Sequence, residues 1–391
     1  MTRNLRKALL GAVFTVALGM GTADAGTIKV GVIGPMSGPF ALSGLTFKEG
    51  VEVYQAQHGK TVGGDTIEFI YKDLDAANPA QSKALAQELI VKDKVAFLAG
   101  FYFTPDALAV APLIDEAKIP AVIFNAATSA ITEKSPFFVR TSFTLWQNTV
   151  PLANYVASGG SKTVVTAVSD YGPGIDAETA FKATFEKAGG KIAESIRMPV
   201  AATDFAAFMQ RIKDSNADAL FAFLPAGPTA VTFVKQFSDN GLRQKMKFFS
   251  TGDLVMEPDL PALGEPALGL VTSFHYSAAH KSAANQAFLA KHKEMFGNND
   301  KVTFTTVDAY DGAHVIYKMV EATKGKSDGV KQIAAIKGMK WESPRGPVMI
   351  DPDSRHLVQN VYLRTLEKVD GKYQNTEVTI VADQPDFGYK R

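Results

Sequence analysis

Short β-branched runs alternate with amphipathic helical patterns along most of this chain, in two successive series. Runs at 27–33, 66–71, 95–99 and 121–124 read as strands, and the stretches 44–57, 79–91 and 105–117 between them read as helices. In 44–57, Phe47, Val51 and Tyr54 recur at four- and three-residue spacing with Leu45 beside them, which lays one apolar stripe along a helix. Pro79 and Pro105 fall where a first helical turn tolerates a missing N–H. Such alternation predicts βαβ units, hence parallel sheets with helices on both faces. The series then restarts, with helices at 146–158, 174–188, 204–214 and 228–240 and strands at 163–168, 191–198, 219–223 and 247–250. The pattern is an α/β chain of two doubly wound parallel-sheet lobes. After a strand at 270–274 come helices at 282–296, 306–323 and 329–336, then strands at 346–350 and 358–365. The chain is expected to cross back to complete the first lobe, then return to add an edge strand to the second. Several crossing segments, rather than one tether, then make the hinge.

The amino end has another character. Arg3, Arg6 and Lys7 precede an apolar run at 8–20, and Ala23-Asp24-Ala25 supplies small residues at the −3 and −1 positions of a cleavage site. Together these read as a signal peptide over 1–25. The run is shorter than the roughly 20 apolar residues a spanning helix needs. Cysteine is absent, which excludes a disulfide framework, thiolate metal ligation, a cysteine nucleophile and a lipid-anchoring cysteine. These features predict a protein that diffuses freely in a periplasm. The remainder exceeds what one core usually holds, in keeping with two lobes. A net charge of +1 projects no field toward nucleic acid or an anionic membrane.

Ligands of open α/β sheets bind beyond the carboxyl ends of strands, where loops feed helix N-termini. In the first series these loops are Gly34–Pro39 followed by Ser43-Gly44, then Gly100–Asp106 and Asn125–Ser129. In the second they are Ser169–Gly174, Leu224–Gly227 and Thr251–Asp253. Thr104 and Thr128 stand at helix-start signals, where a hydroxyl and free backbone N–H groups can cradle a carboxylate. The same position also suits a plain N-cap. Tyr102, Phe103, Phe143 and Trp146 could wall an apolar or aromatic ligand, or simply pack. Catalytic constellations are missing. The six histidines form no HExxH and no zinc-like spacing, and neither GxGxxG nor GxxxxGK[ST] occurs. In Gly34–Gly38 the serine falls one place late for GxSxG. His275 and His280 are assigned a surface role, and Asp73 and Asp75 a solvated turn. No enzyme, cofactor or metal is expected.

Four stretches, IKVGVIGPMSGPFALSG, FIYKDLDAANPAQSKALAQELI, VAFLAGFYFTPDALAVAPLIDEAKIPAVIFNAATS and VVTAVSDYGPG, resemble the leucine/isoleucine/valine-binding type of periplasmic solute-binding protein. The likeness runs in order over nearly the whole mature chain. It implies the type I two-lobed fold, with lobes of 26–143 plus 274–356 and of 144–273 plus 357–391. It further implies a monomer that delivers a small-molecule ligand to the membrane permease of an ABC importer. By the resemblance Thr104 binds the ligand carboxylate, and Ala126 and Thr128 hold amino and carboxyl groups. Tyr171 closes over the ligand from the second lobe, and the loop around Ser43 touches its side chain.

Two departures bear on the ligand. Family members that bind amino acids carry a glutamate after the strand matching 247–250, where it pairs with the ligand ammonium. Gly252 stands there in this chain, with Asp253 one residue later. The Leu224–Gly227 loop also lacks the tyrosine expected near it. An ammonium buried without its anion costs about 3–5 kcal/mol. Both departures favour a carboxylate without an α-ammonium, and the aromatic Phe101–Phe103 segment favours an aromatic one. A slip of one residue would let Asp253 restore branched-chain amino acid binding. A periplasmic sensor built on the same clamp is the alternative role, ahead of an exported hydrolase.

Overall fold

The computed structural model describes residues 26–390, so the signal peptide expected over 1–25 lies outside the described residues. The first series folds as β1 (Thr27–Gly34), α1 (Ala41–His58), β2 (Thr61–Val62), β3 (Asp65–Asp73), α2 (Pro79–Glu88), β4 (Phe97–Gly100), α3 (Thr104–Ala117), β5 (Ala121–Ile123) and β6 (Phe138–Arg140). Its sheet runs β2-β3-β1-β4-β5-β6, parallel throughout except for the short β2. Buried Val30, Val32 and Ile33 of β1 and the buried β4 and β5 show why these strands read as continuous apolar runs: helices cover both faces. Asn78 caps α2 by accepting from the Gln81 N–H, directly before Pro79.

The second series gives α4 (Leu145–Ser158), β7 (Thr163–Ser169), α5 (Gly172–Lys187), β8 (Lys191–Met198), α6 (Ala206–Asp214), β9 (Ala219–Phe223), α7 (Pro228–Asp239), β10 (Lys247–Thr251), α8 (Leu260–Leu263) and β11 (Val271–Phe274). The chain then crosses back for α9 (Ala283–Phe296), α10 (Phe304–Thr323) and α11 (Gly329–Ile336). α10 opens on a capping box between Thr303 and Thr306 and packs along α1, so closely that a Cβ on Gly50 would run into the Thr306 carbonyl.

The return differs from the expected single edge strand. β12 (Lys340–Ser343), β13 (Gly346–Ile350), β14 (Leu357–Val369) and β15 (Lys372–Gln384) all join the second sheet, which runs β12-β13-β14-β11-β10-β9-β7-β8 with β15 alongside β14. β14 is interior: it pairs antiparallel with β11, β13 and β15. Residues 340–350, assigned by resemblance to the first lobe, thus hydrogen-bond into the second sheet. Val348 and Ile350 are nevertheless buried in the core of the first lobe, so this hairpin belongs to both.

The crossings meet at a buried ionic cluster. Arg345, in the β12–β13 turn, pairs with Asp308 and Asp311 of α10, each at 2.8 Å. His275, just after β11, reaches Asp308 at 3.0 Å. All four are fully buried, which corrects the surface role assigned to His275. His280 is largely buried as well, bonded to Glu377.

Candidate ligand-binding site

Between the lobes lies a narrow, nearly closed cavity of about 10 Å³ lined from the first lobe by Tyr102, Asn125 and Ala127 and from the second by Tyr171, Phe223, Ala226 and Asp253, with Phe143 and Leu145 from the hinge side. Its loops follow β4 and β5 in one sheet and β7, β9 and β10 in the other. In each sheet the strand order reverses here, between β1 and β4 and between β7 and β9, where such sheets hold ligands.

The loop after β4 is strained into place. Gly100 and then Phe101 take positive φ, 98° and 64°. Glycine does this freely, and a Cβ on Gly100 would strike the Ile33 carbonyl. For a buried phenylalanine the conformation costs on the order of 1–3 kcal/mol. The Ile33 and Phe101 carbonyls offset it by accepting the Phe101 and Ala126 N–H groups. The kink turns Tyr102 across the cleft. Its carbonyl accepts from the Asn125 amide at 2.7 Å, and its hydroxyl donates to the Ala226 carbonyl of the second lobe at 3.1 Å. Phe103 packs behind it, ring centroids 4.8 Å apart, with Phe40 against both.

Thr104 and Thr128 meet at this seam. Thr104 is the first residue of α3 and Thr128 precedes the helical turn Ser129–Lys134, yet neither hydroxyl caps its helix. The two hydroxyls bond to each other at 2.9 Å. Gly172, the first residue of α5, lies against them: a Cβ there would sit 2.6 Å from Thr128 Oγ1 and 3.5 Å from Thr104 Cγ2. One residue on, the Ser129 N–H donates to Asp176 of α5 at 2.9 Å. The first turns of α3 and α5 therefore approach each other beside the cavity, and helix starts favour an anion.

The carboxyl end of the chain ties the same loop. Asp386 accepts from the Ser129 hydroxyl at 2.7 Å and the Thr144 hydroxyl at 2.8 Å, and reaches the His356 ring at 3.1 Å. Burial alone would raise its carboxyl. The His356 ring, the Ser129 hydroxyl and the Gly388 N–H outweigh that and hold it at about 2.

Asp253 is the acid of the cavity lining. It is buried, accepts from the Thr251 hydroxyl at 2.8 Å, and is pushed up to about 7. Burial dominates; the Thr251 hydroxyl and the Arg364 charge pull only partly the other way. Gly252 turns the opposite way, where a Cβ would collide with Arg364 and Phe274. Phe143 has a second contact: it stacks on His275, centroids 4.6 Å apart at 21°, so the wall touches the ionic cluster of the hinge. Among the described residues no group of His, Cys, Asp and Glu is arranged to hold a metal.

The model of a periplasmic binding protein matches residues 27–372. The chain belongs to that family. The chain is 54% identical over 388 residues to the Leu/Ile/Val-binding protein homolog 6 of Brucella melitensis biotype 1, covering 99% of this chain and all of the relative. A solute-binding protein of an ABC transporter from Rhodopseudomonas palustris HaA2, solved with p-hydroxybenzoic acid, is 61% identical with a TM-score of 0.92, over 93% of this chain and 99% of that one. Another, from Rhodopseudomonas palustris BisB5 with 3,4-dihydroxybenzoic acid, is 48% identical with a TM-score of 0.88 and the same coverage.

Within this periplasmic binding protein, Tyr171 and Asp253 line the cavity directly. Thr104 and Thr128 stand at its seam, and Ala126 lies between the lining residues Asn125 and Ala127. Ser43 is buried beside the Tyr102 hydroxyl, and Phe103 supports Tyr102 from behind. Trp146, weighed as a wall, instead packs against Gly388 near the carboxyl end. Asn125 and Phe223 went unread. A single loop asparagine looks like turn chemistry, and Phe223 looks like one more strand residue. Asn125 carries one signal visible in the structure alone: its Oδ1 is buried without a hydrogen-bond partner.

Proposed function

We propose that this protein is the periplasmic solute-binding component of an ABC importer, that it closes its two lobes on an aromatic carboxylate, and that it carries no catalytic activity. The observation that carries this reading is the cavity itself. Its walls are Tyr102, Phe143, Tyr171 and Phe223, its one lining acid is Asp253, and the helix starts at Thr104 and Gly172 stand beside it. A flat ring suits such walls, and a carboxylate suits helix starts. The benzoate derivatives held by the two Rhodopseudomonas palustris relatives support the same ligand class. Thr104, Thr128 and the backbone around Ala126 are the proposed carboxylate ligands, with Tyr171 closing from the second lobe. The lobes divide as 26–143 with 274–356 and 144–273 with 357–391, the β12–β13 hairpin bridging them. The 1–25 leader directs export, and a membrane permease receives the closed form. Closure is driven by a ligand that contacts both lobes only when they meet.

Branched-chain amino acids are the competing ligands, because Asp253 could face an ammonium and a relative carries the Leu/Ile/Val name. Calorimetric titration of leader-free protein, unfolded and refolded to strip carried ligand, separates the two. Heat of binding with benzoates and none with leucine is the expected result. Binding of leucine alone would replace this reading with the amino-acid one.

A further inference from the structure

The cavity has two chemically opposite ends, and a tyrosine side chain measures the distance between them. Tyr102 begins at Asn125, where its carbonyl accepts the amide at 2.7 Å, and ends at Ala226, where its hydroxyl donates at 3.1 Å. Asp253 belongs to the hydroxyl end. Its charge acts on the phenols of both Tyr102 and Tyr171 and raises them beyond what burial does first. The Asn125–Thr128 loop and the first turns of α3 and α5 form the other end.

This polarity orients an anionic ligand. A carboxylate placed at Asp253 would set two carboxyl groups together in a buried space, where both cannot be ionised at once. The ligand carboxylate is therefore left with the Asn125–Thr128 end. A benzoate oriented that way points its para carbon at Asp253, across the span that Tyr102, itself a para-substituted phenol, already measures. A ring with hydrogen at that carbon gives the Asp253 carboxyl nothing to bind, whereas a hydroxyl there donates to it.

We infer that Asp253 is a specificity-determining residue that accepts a hydrogen bond from a para-hydroxyl on the ring of an aromatic carboxylate. The inference rests on the aromatic-carboxylate reading above and names the member of that class. Thr251 serves as its positioning residue: its hydroxyl donates to Asp253 Oδ2 at 2.8 Å, leaving the other carboxylate oxygen for the ligand. Arg364, buried against Gly252 and over the Phe274 ring at 5.0 Å, supplies positive charge from behind.

The test is a ligand series on the refolded wild-type protein: benzoate, 3-hydroxybenzoate, 4-hydroxybenzoate, 4-methoxybenzoate and leucine, each by calorimetry. 4-Hydroxybenzoate is expected to bind at least about tenfold more tightly than benzoate, and 4-methoxybenzoate, which has no donor, to bind no better than benzoate. In Asp253→Ala the ratio of 4-hydroxybenzoate to benzoate affinity is expected to fall close to one. In the isosteric Asp253→Asn it is expected to shrink without vanishing, since a neutral acceptor remains. Equal wild-type affinity for benzoate and 4-hydroxybenzoate, or an undiminished ratio in Asp253→Ala, overturns the role of Asp253 while leaving the aromatic-carboxylate reading standing. Binding of leucine with no binding of any benzoate overturns both. The wild-type series decides the matter even where a variant does not fold.

Discussion

Burial drives the Asp253 carboxyl toward its neutral form, and ionising it has a measurable cost. Its carboxyl stands at about 7 in the folded chain against an ordinary 3.8. Between those values the folded chain keeps a proton that the unfolded chain releases, so the stability this group contributes falls as pH rises and stays low above the folded value. Asp253→Asn removes that dependence while keeping an acceptor for the Thr251 hydroxyl. The gain in melting temperature of the variant over wild type, both without ligand, is expected to be larger at about pH 8 than at about pH 5. An equal gain at both, or a larger one in acid, would contradict the burial argument. At this scale the sequence was partly legible. Tyr171 and Asp253 were named from loops and resemblance, and both line the cavity. Asn125 was not, because its distinguishing property, a buried unpartnered oxygen, exists only once the chain is folded. The Thr104 and Thr128 pair escaped as a pair for the same reason: each looked like an N-cap, and their mutual bond joins residues 24 apart.

At the scale of elements, period and propensity were sufficient wherever helices cover both faces of a parallel sheet. Strands such as β1 and β9 are short apolar runs, buried along nearly their full length. β15 was missed for the opposite reason. Its outward Val378 and Ile380 remain half-exposed, so no apolar face marks it. The stronger signal was the turn before it. Asp370 and Gly371 both take positive φ, 49° and 81°, as a two-residue hairpin requires, and an Asp-Gly pair announces that conformation. β12 pairs with β13 and β13 with β14, which joins this hairpin to the second sheet, and no local pattern encodes that choice. Close helix packing is a better-posed case. Gly50 lets α1 approach α10 until a Cβ would strike the Thr306 carbonyl, a backbone atom that cannot rotate away. Gly50→Ala is expected to cost about 1–3 kcal/mol and lower the unfolding midpoint, although alanine is the better helix former. An unchanged or raised midpoint would show that the two helices can separate without penalty.

For the whole molecule the decisive contacts are those between lobes. Tyr102 reaches Ala226, Ser129 reaches Asp176, and the threonine pair lies against Gly172. Gly172→Ala inserts a methyl group 2.6 Å from Thr128 Oγ1, which hinders closure without disturbing either core. The variant is expected to bind 4-hydroxybenzoate about tenfold more weakly while its ligand-free melting temperature stays near that of wild type. Undiminished affinity would mean that the lobes do not meet here in the ligand-bound state. The architecture of two facing lobes followed from the doubled alternation of strands and helices. The hinge did not, since Arg345, Asp308, Asp311 and His275 come from three separate segments and no spacing links them.

The tie made by Asp386 orders events in time. Its partners Ser129 and Thr144 stand 257 and 242 positions earlier, and a ribosome delivers the chain from the other end. The loop at the centre of the cleft is therefore fastened by a residue that follows it by 257 positions. A copy cut between β15 and Asp386 keeps the strands of both sheets yet leaves that loop untied. Asp386 acts as a late check: only a molecule that has reached it holds the Ser129 loop in place.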